Sequence, residues 1–162
     1  MFDIINPRQT VLVGCRGQIK ILGKEVQKDN LIAIDWHTPV SPNPYHYSIC
    51  IGKTKFSKKL IDESGVFSVN FMSFDNKDEV LFCGRHTGEH FDKFKETGLK
   101  IIESDSIDCP RVCEAVAYLE CKIVKKFEFG SHVTFIGKVI NSKFCKISER
   151  LFHTKGDSFG RL

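Results

Sequence analysis

A mainly β protein is the expectation from this sequence: a closed barrel of antiparallel strands with two or three short helical insertions. Three observations carry it. Short apolar runs, each bounded by Gly, Pro, Asn or Ser, recur along the chain. Two long alternating runs flank Phe129-Gly130-Ser131 and read as an antiparallel hairpin. Helical signals are few and short. Closure into a barrel would remove the edge strands that invite aggregation.

The runs, in order, are Thr10 to Cys15, Leu31 to Trp36, Tyr45 to Ile51 and Val66 to Phe71. In the hairpin, Ala115, Ala117, Leu119, Cys121 and Ile123 alternate with polar or outward residues, as do Val133, Phe135, Gly137 and Val139. Small residues at Ala115, Ala117 and Gly137 suit a tightly curved sheet. Helices are expected at Ser57–Glu63, with Ser57 as N-cap, at Asp78–Arg85, and at His90–Glu96, stopped by Gly98. Pro39, Pro42 and Pro44 place a long exposed loop after Trp36.

The 162 residues fit one domain, taken as 1–162, large enough for a core without staples. Fourteen Phe against one Trp and three Tyr suggest mostly core aromatics. A net charge of +4 with scattered lysines gives no nucleic-acid stripe but favours an anionic ligand such as a nucleotide. No run approaches the ~20 apolar residues of a membrane span. The N-terminus lacks a secretion signal, and seven scattered cysteines read as reduced thiols, mostly buried; together these point to the cytoplasm and away from membranes.

The chemistry-bearing motifs are sparse. There is no GxxxxGK[ST], no GxGxxG and no GxSxG. Lys53 to Lys59 follows a strand and opens a helix, where free N–H groups attract phosphate; the same residues also fit a solvated lysine-rich turn. Trp36 ends an apolar strand beside His37 and Thr38, a place where ligand-facing residues collect. His86-Thr-Gly-Glu89-His90 matches a zinc-protease spacing, but Gly88 interrupts it and no apolar stripe supports the helix, so no metal is expected. Cys109 and Cys113 have no matching second pair. His132 opens the last long strand, as a half-exposed strand residue would.

Taken together these segments resemble the flavin reductase-like family, flavoredoxin type, over Asn6 to Gly160. The resemblance rests on Asn6-Pro7-Arg8, Asn30 with Trp36 six residues on, Pro42-Asn43-Pro44, Lys55-Phe56-Ser57 and Ser64 to Asn70. Its most specific parts are Asp92-Lys93-Phe94 with Thr97-Gly98-Leu99, and Gly130-Ser-His132 through Val139. Asn43 departs from the family's first proline, and His86 and His90 replace small residues common there.

The resemblance implies an FMN-binding split β-barrel of antiparallel Greek-key type, working as a homodimer. It implies flavin contacts at Asn30, Trp36, Lys55, Phe56, Ser57, Lys93 and His132, with less support for His37 and Thr38. Ser57 and Lys93 would take the phosphate, Trp36 would wall the ring, and Asn30 and His132 would reach ring or ribityl atoms. Late aromatics, Phe152 or Phe159, would cover the flavin. The implied activity is an NAD(P)H-dependent flavin reductase, with NADH or NADPH as donor and no catalytic side chain, because the cofactor carries the chemistry. Three rivals stay open: an electron carrier reduced by a redox partner protein, a non-enzymatic barrel binding single-stranded nucleic acid through aromatics and lysines, and a flavin-fold protein that has lost the cofactor and serves another role.

Overall fold

The computed structural model of the protein describes residues 2–162. Its strands are β1 (Arg8–Gln9), β2 (Val11–Ile21), β3 (Lys24–Ile34), β4 (His37–Pro42), β5 (Tyr45–Gly52), β6 (Val66–Phe71), β7 (Ile101–Glu103), β8 (Pro110–Val112), β9 (Ala117–Phe129), β10 (His132–Phe144), β11 (Leu151–Lys155) and β12 (Ser158–Arg161). The helices are α1 (Phe56–Ser64), α2 (Lys77–Arg85) and α3 (Lys93–Thr97). Seven strands form one sheet in the order β3-β2-β6-β9-β10-β5-β4, and every pair in it is antiparallel. The expected closure is corrected: β3 and β4 stand at the two ends of this order, so the barrel is split rather than closed.

Alternation along β2 and β3 explains where the core sits. Val11, Val13 and Cys15, with Ile32 and Ile34, turn to the inside of the curved sheet. They meet Tyr47, Ile49, Phe67, Val69 and Phe135, and α1 plugs this core with Phe56, Leu60 and Ile61. Leu12 and Leu31 turn the other way, under Val80 and Cys83 of α2 and Phe94 of α3. Both faces of these strands are therefore covered, which is why Leu31-Ile-Ala-Ile34 reads as a continuous apolar run.

Several expectations need correction. The stretch after Trp36 is an edge strand, not a loop; Pro39 pairs opposite Tyr47, and proline is tolerated there because an edge N–H has no ladder partner to lose. The N-cap of α1 is Lys55, and Ser57 lies within the helix, 2% exposed. The third helix starts at Lys93, not His90, because Asp92 caps it, its side chain accepting from Lys95 N. Of the thirteen phenylalanines from Phe56 onward, only Phe56, Phe67, Phe94 and Phe135 are buried; Phe127, Phe129 and Phe144 face outward on the far ends of β9 and β10. All seven cysteines are free and four are buried. No helix among the described residues is long and apolar enough to cross a membrane.

The β9–β10 ladder shifts register between Ile136 and Gly137, where the sheet bends. A Cβ on Gly137 would stand 2.8 Å from Cys121 Cβ and 2.9 Å from Phe67 Cζ. Gly137→Ala should therefore destabilise the fold by about 1–3 kcal/mol, as overpacking does. A urea unfolding midpoint equal to that of the natural protein would show that the bend has room for a methyl group.

Candidate functional site

The site grows from one buried polar cluster on β3. Asn30 continues the inward face of Ile32 and Ile34, yet it is an amide, 1% exposed, among apolar neighbours. Its Nδ2 donates to Ser57 Oγ at 2.7 Å. Its Oδ1 is buried and has no hydrogen-bond partner among the described residues. Leaving a buried acceptor unpaired costs about 1–3 kcal/mol, so the atom calls for a donor from outside, such as a ligand hydroxyl. Ser57 sits in the first turn of α1, where Lys55 caps with extended backbone and no side-chain bond. The first N–H groups of that helix are thus left for an anion.

Lys93 enters the same cluster from α3 and is 3% exposed. Its Nζ donates to Leu31 O and to Cys83 O, both at 2.7 Å. An ammonium has three donors, so one remains. Burial pushes its pKa down to about 8. Burial likewise pushes the neighbouring Cys83 thiol up to about 11 and the Cys15 thiol to about 12, so both stay protonated and unreactive near neutrality.

Asn30, Ser57, Cys83 and Lys93 line a cavity of about 280 Å³ together with Lys55, Arg85 and His86. A second chamber of about 190 Å³ adjoins it, sharing Ile32 and Lys55. Its walls are Trp36, which follows β3, and His132, which opens β10, their ring centroids 5.0 Å apart. The strands force this meeting: His132 pairs opposite Gly52, and Cys50 N donates to Trp36 O at 2.8 Å. Ser131 Oγ shares a hydrogen with His132 Nδ1 at 2.9 Å and fixes the ring. Together the two chambers reach the size range of ordinary ligand pockets, roughly 300–1,000 Å³.

A third chamber, about 210 Å³, shares Asp35 and Ala33 with the second, and Gly84 and Arg85 with the first. The β11–β12 hairpin closes it with His153 and Phe159. Asp35 holds that hairpin: its carboxylate pairs with His153 Nδ1 at 2.7 Å and accepts from Thr10 Oγ1 at 2.6 Å.

The geometry thus brings Asn30, Lys55, Phe56, Ser57 and Lys93 to one cavity and Trp36 and His132 to the next. It does not bring His37 or Thr38 there. His37 is spent on Tyr47 Oη at 2.7 Å and Gln9 O at 2.8 Å, and Thr38 is exposed on edge strand β4. Of the two late aromatics, Phe159 lines the third chamber, and Phe152 lines none of the three. Sequence reasoning missed Asp35, Arg85, Gly88 and His153; only the position of Asp35 beside Trp36 was a signal. Among the described residues no group of three or more His, Cys, Asp or Glu is placed to hold a metal.

A family model described as a flavin reductase like domain matches residues 6–159. A ferric-chelate reductase (NAD(P)H) of Archaeoglobus fulgidus is 28% identical over 115 residues, which cover 69% of this chain and 66% of that protein's length. A flavoredoxin structure from Methanosarcina acetivorans superposes with a TM-score of 0.83 at 26% identity, covering 98% of this chain and 86% of that one. The structure of an FMN-binding protein from Thermus thermophilus shares the fold, with a TM-score of 0.85, 22% identity, and coverage of 99% and 89%.

The buried ammonium carries a pH signature. Below pH 8 Lys93 is protonated both folded and unfolded; between about 8 and the ordinary lysine value the unfolded chain binds more of the proton. This group therefore favours folding increasingly as pH rises across that window, while its grip on an anion weakens. The stability of the natural protein relative to Lys93→Met should rise between pH 7 and 9.5 in urea titrations. A flat difference would mean that burial does not depress this lysine.

Proposed function

We propose that this chain, which belongs to the flavin reductase-like family, is an oxidoreductase that holds FMN along the groove beside β3. The observation that carries the reading is the Asn30–Ser57–Lys93 cluster: a buried, unpartnered acceptor and a buried ammonium lining one cavity that runs on into a chamber walled by an indole and an imidazole. The residues present fit that group. Lys93, with a donor to spare, and Ser57, in an open first helical turn, match a phosphate. Asn30 Oδ1 matches a ribityl hydroxyl. The indole of Trp36 and the His132 ring match the flat, largely apolar face of an isoalloxazine.

When bound, the flavin supplies the redox chemistry, taking a hydride equivalent from a reduced nicotinamide and passing electrons to an acceptor. The protein's own part is positioning. Lys93, pinned by two backbone carbonyls, presents its remaining N–H at a fixed point rather than on a swinging stem. Trp36 and His132 exclude water from one side of the ring chamber. Asp35 anchors the β11–β12 hairpin that borders it.

The donor in this reading is NADH or NADPH, in keeping with the relative named as an NAD(P)H-dependent ferric-chelate reductase. The likeness to a flavoredoxin favours a second reading, an electron carrier reduced by a redox protein. We further propose a homodimer joined along the β9–β10 ribbon, which exposes Val124, Phe127 and Phe129 toward its turn and Ile140 and Phe144 toward its other end.

Anaerobic mixing of the FMN-loaded protein with NADH or NADPH separates the two readings: loss of the flavin absorption band with either supports the reductase, and no loss with both removes it. Ser57→Ala and Lys93→Met should each weaken FMN binding by about 1–3 kcal/mol in fluorescence titrations, the cost of a lost charge-assisted partner. Unchanged affinity in both variants would place the phosphate elsewhere.

A further inference from the structure

The segment between α2 and α3 ends the phosphate cavity. His86, Thr87 and Gly88 all line it. Gly88 is buried so closely over Asn30 that a Cβ there would fall on the Asn30 amide. His90 N and Phe91 N both donate to Thr87 O, at 3.3 and 3.2 Å, and lock the turn. The turn that borders the cavity on this side is therefore held in place by its own hydrogen bonds and by the Gly88–Asn30 packing.

His86 brings an imidazole to that turn, and the ring is clamped. Its ring stacks on Phe82 at 4.0 Å between centroids, 19° from parallel. Phe91 packs edge-on against it at 4.8 Å, the two planes meeting at 73°. Nδ1 lies 3.0 Å from Phe82 O, a carbonyl that only accepts, so Nδ1 carries a hydrogen. That leaves Nε2 as the ring's one polar atom with no partner among the described residues. In the imidazolium form Nε2 carries a hydrogen as well, and a phosphate oxygen accepts from it. The charged groups around it are Arg85 on its own helix, Lys55 before α1, Lys93 on α3 and Glu89 in the following turn.

We propose that His86 is a specificity-determining residue of this site: it caps a terminal phosphate against the 86–88 turn and so selects FMN over both riboflavin, which has no phosphate, and FAD, whose phosphate must continue into a second nucleotide. The proposal rests on the flavin reading above and adds to it the class of flavin accepted. A terminal phosphate presents three oxygens and satisfies Lys93, Ser57 and His86 at once. A diphosphate has to leave past the 86–88 turn, which the Gly88–Asn30 packing and the Thr87 bonds hold in place.

The test is a set of equilibrium titrations of the whole protein with riboflavin, FMN and FAD, read by flavin fluorescence, for the natural protein, His86→Phe and His86→Gln. His86→Phe keeps an aromatic ring between Phe82 and Phe91 and removes both nitrogens; His86→Gln keeps a donor. The natural protein should prefer FMN to riboflavin and to FAD by at least about tenfold, the scale of one good polar contact. His86→Phe should lose several-fold to about thirtyfold in FMN affinity with riboflavin affinity unchanged, and His86→Gln should recover part of the loss. Equal FMN-to-riboflavin ratios in the natural protein and His86→Phe, or FAD bound as tightly as FMN by the natural protein, overturns the proposal while leaving the flavin reading intact. Failure of the natural protein to bind any of the three overturns the flavin reading, and the role of His86 with it.

Discussion

A lysine ammonium shut away from water, tied by short bonds to Leu31 O and Cys83 O, is the constraint on which the site depends. Those two carbonyls belong to β3 and to α2, and the lysine itself opens α3, so one side chain fixes three elements against one another. Taking a charged amine out of water is expensive, and the depressed pKa is the trace of that cost. The hydrogen bonds offset part of it. An anion placed within reach of the third N–H offsets more. The same contacts that stabilise the junction thus prepare the cavity for a negatively charged ligand.

The rest of the groove follows from how β3 is used. Its central residues are covered on both faces, by α1 and the sheet interior on one side and by α2 and α3 on the other. Polar groups inserted into so apolar a strand have no water to turn to. Asn30 finds Ser57, and its remaining oxygen stays buried without a partner close under Gly88; Asp35, just past the strand, finds Thr10 and His153. The chambers run along this strand in sequence, from Asn30 at one end to Trp36 at the other, sharing Ile32, Ala33 and Asp35 between them. Because the barrel is split, the strand's end is left open to a ligand instead of being sealed by a neighbouring ladder.

Much of this frame was legible in the residues. Val66 to Phe71 alternates and is bounded on both sides, and the strand has those limits; the Gly130-Ser131 turn stood out because two alternating runs flank it. Strand β4 was hidden by its prolines, which mark a loop unless the strand lies at an edge, and the sequence does not show edges. β11 and β12 are five and four residues long, too short for a period to emerge. The site was less legible than the fold. Asn30 and Ser57 are 27 residues apart and their bond exists only because α1 docks on β3. Pattern alone made the Lys53–Lys59 stretch a solvated turn as readily as a phosphate seat, and the resemblance, not spacing, singled out Lys93. His37 looked equivalent to Trp36 beside it, but successive residues at a strand end turn to opposite sides, and His37 went to Tyr47 and Gln9.

The most direct test of the account is a crystal structure of the protein with FMN. The account predicts phosphate oxygens at hydrogen-bond distance, roughly 2.7–3.2 Å, from Ser57 Oγ and Lys93 Nζ, with the ring against Trp36 and His132. A flavin whose phosphate lies outside the cavity formed by Asn30, Ser57 and Lys93 would contradict it.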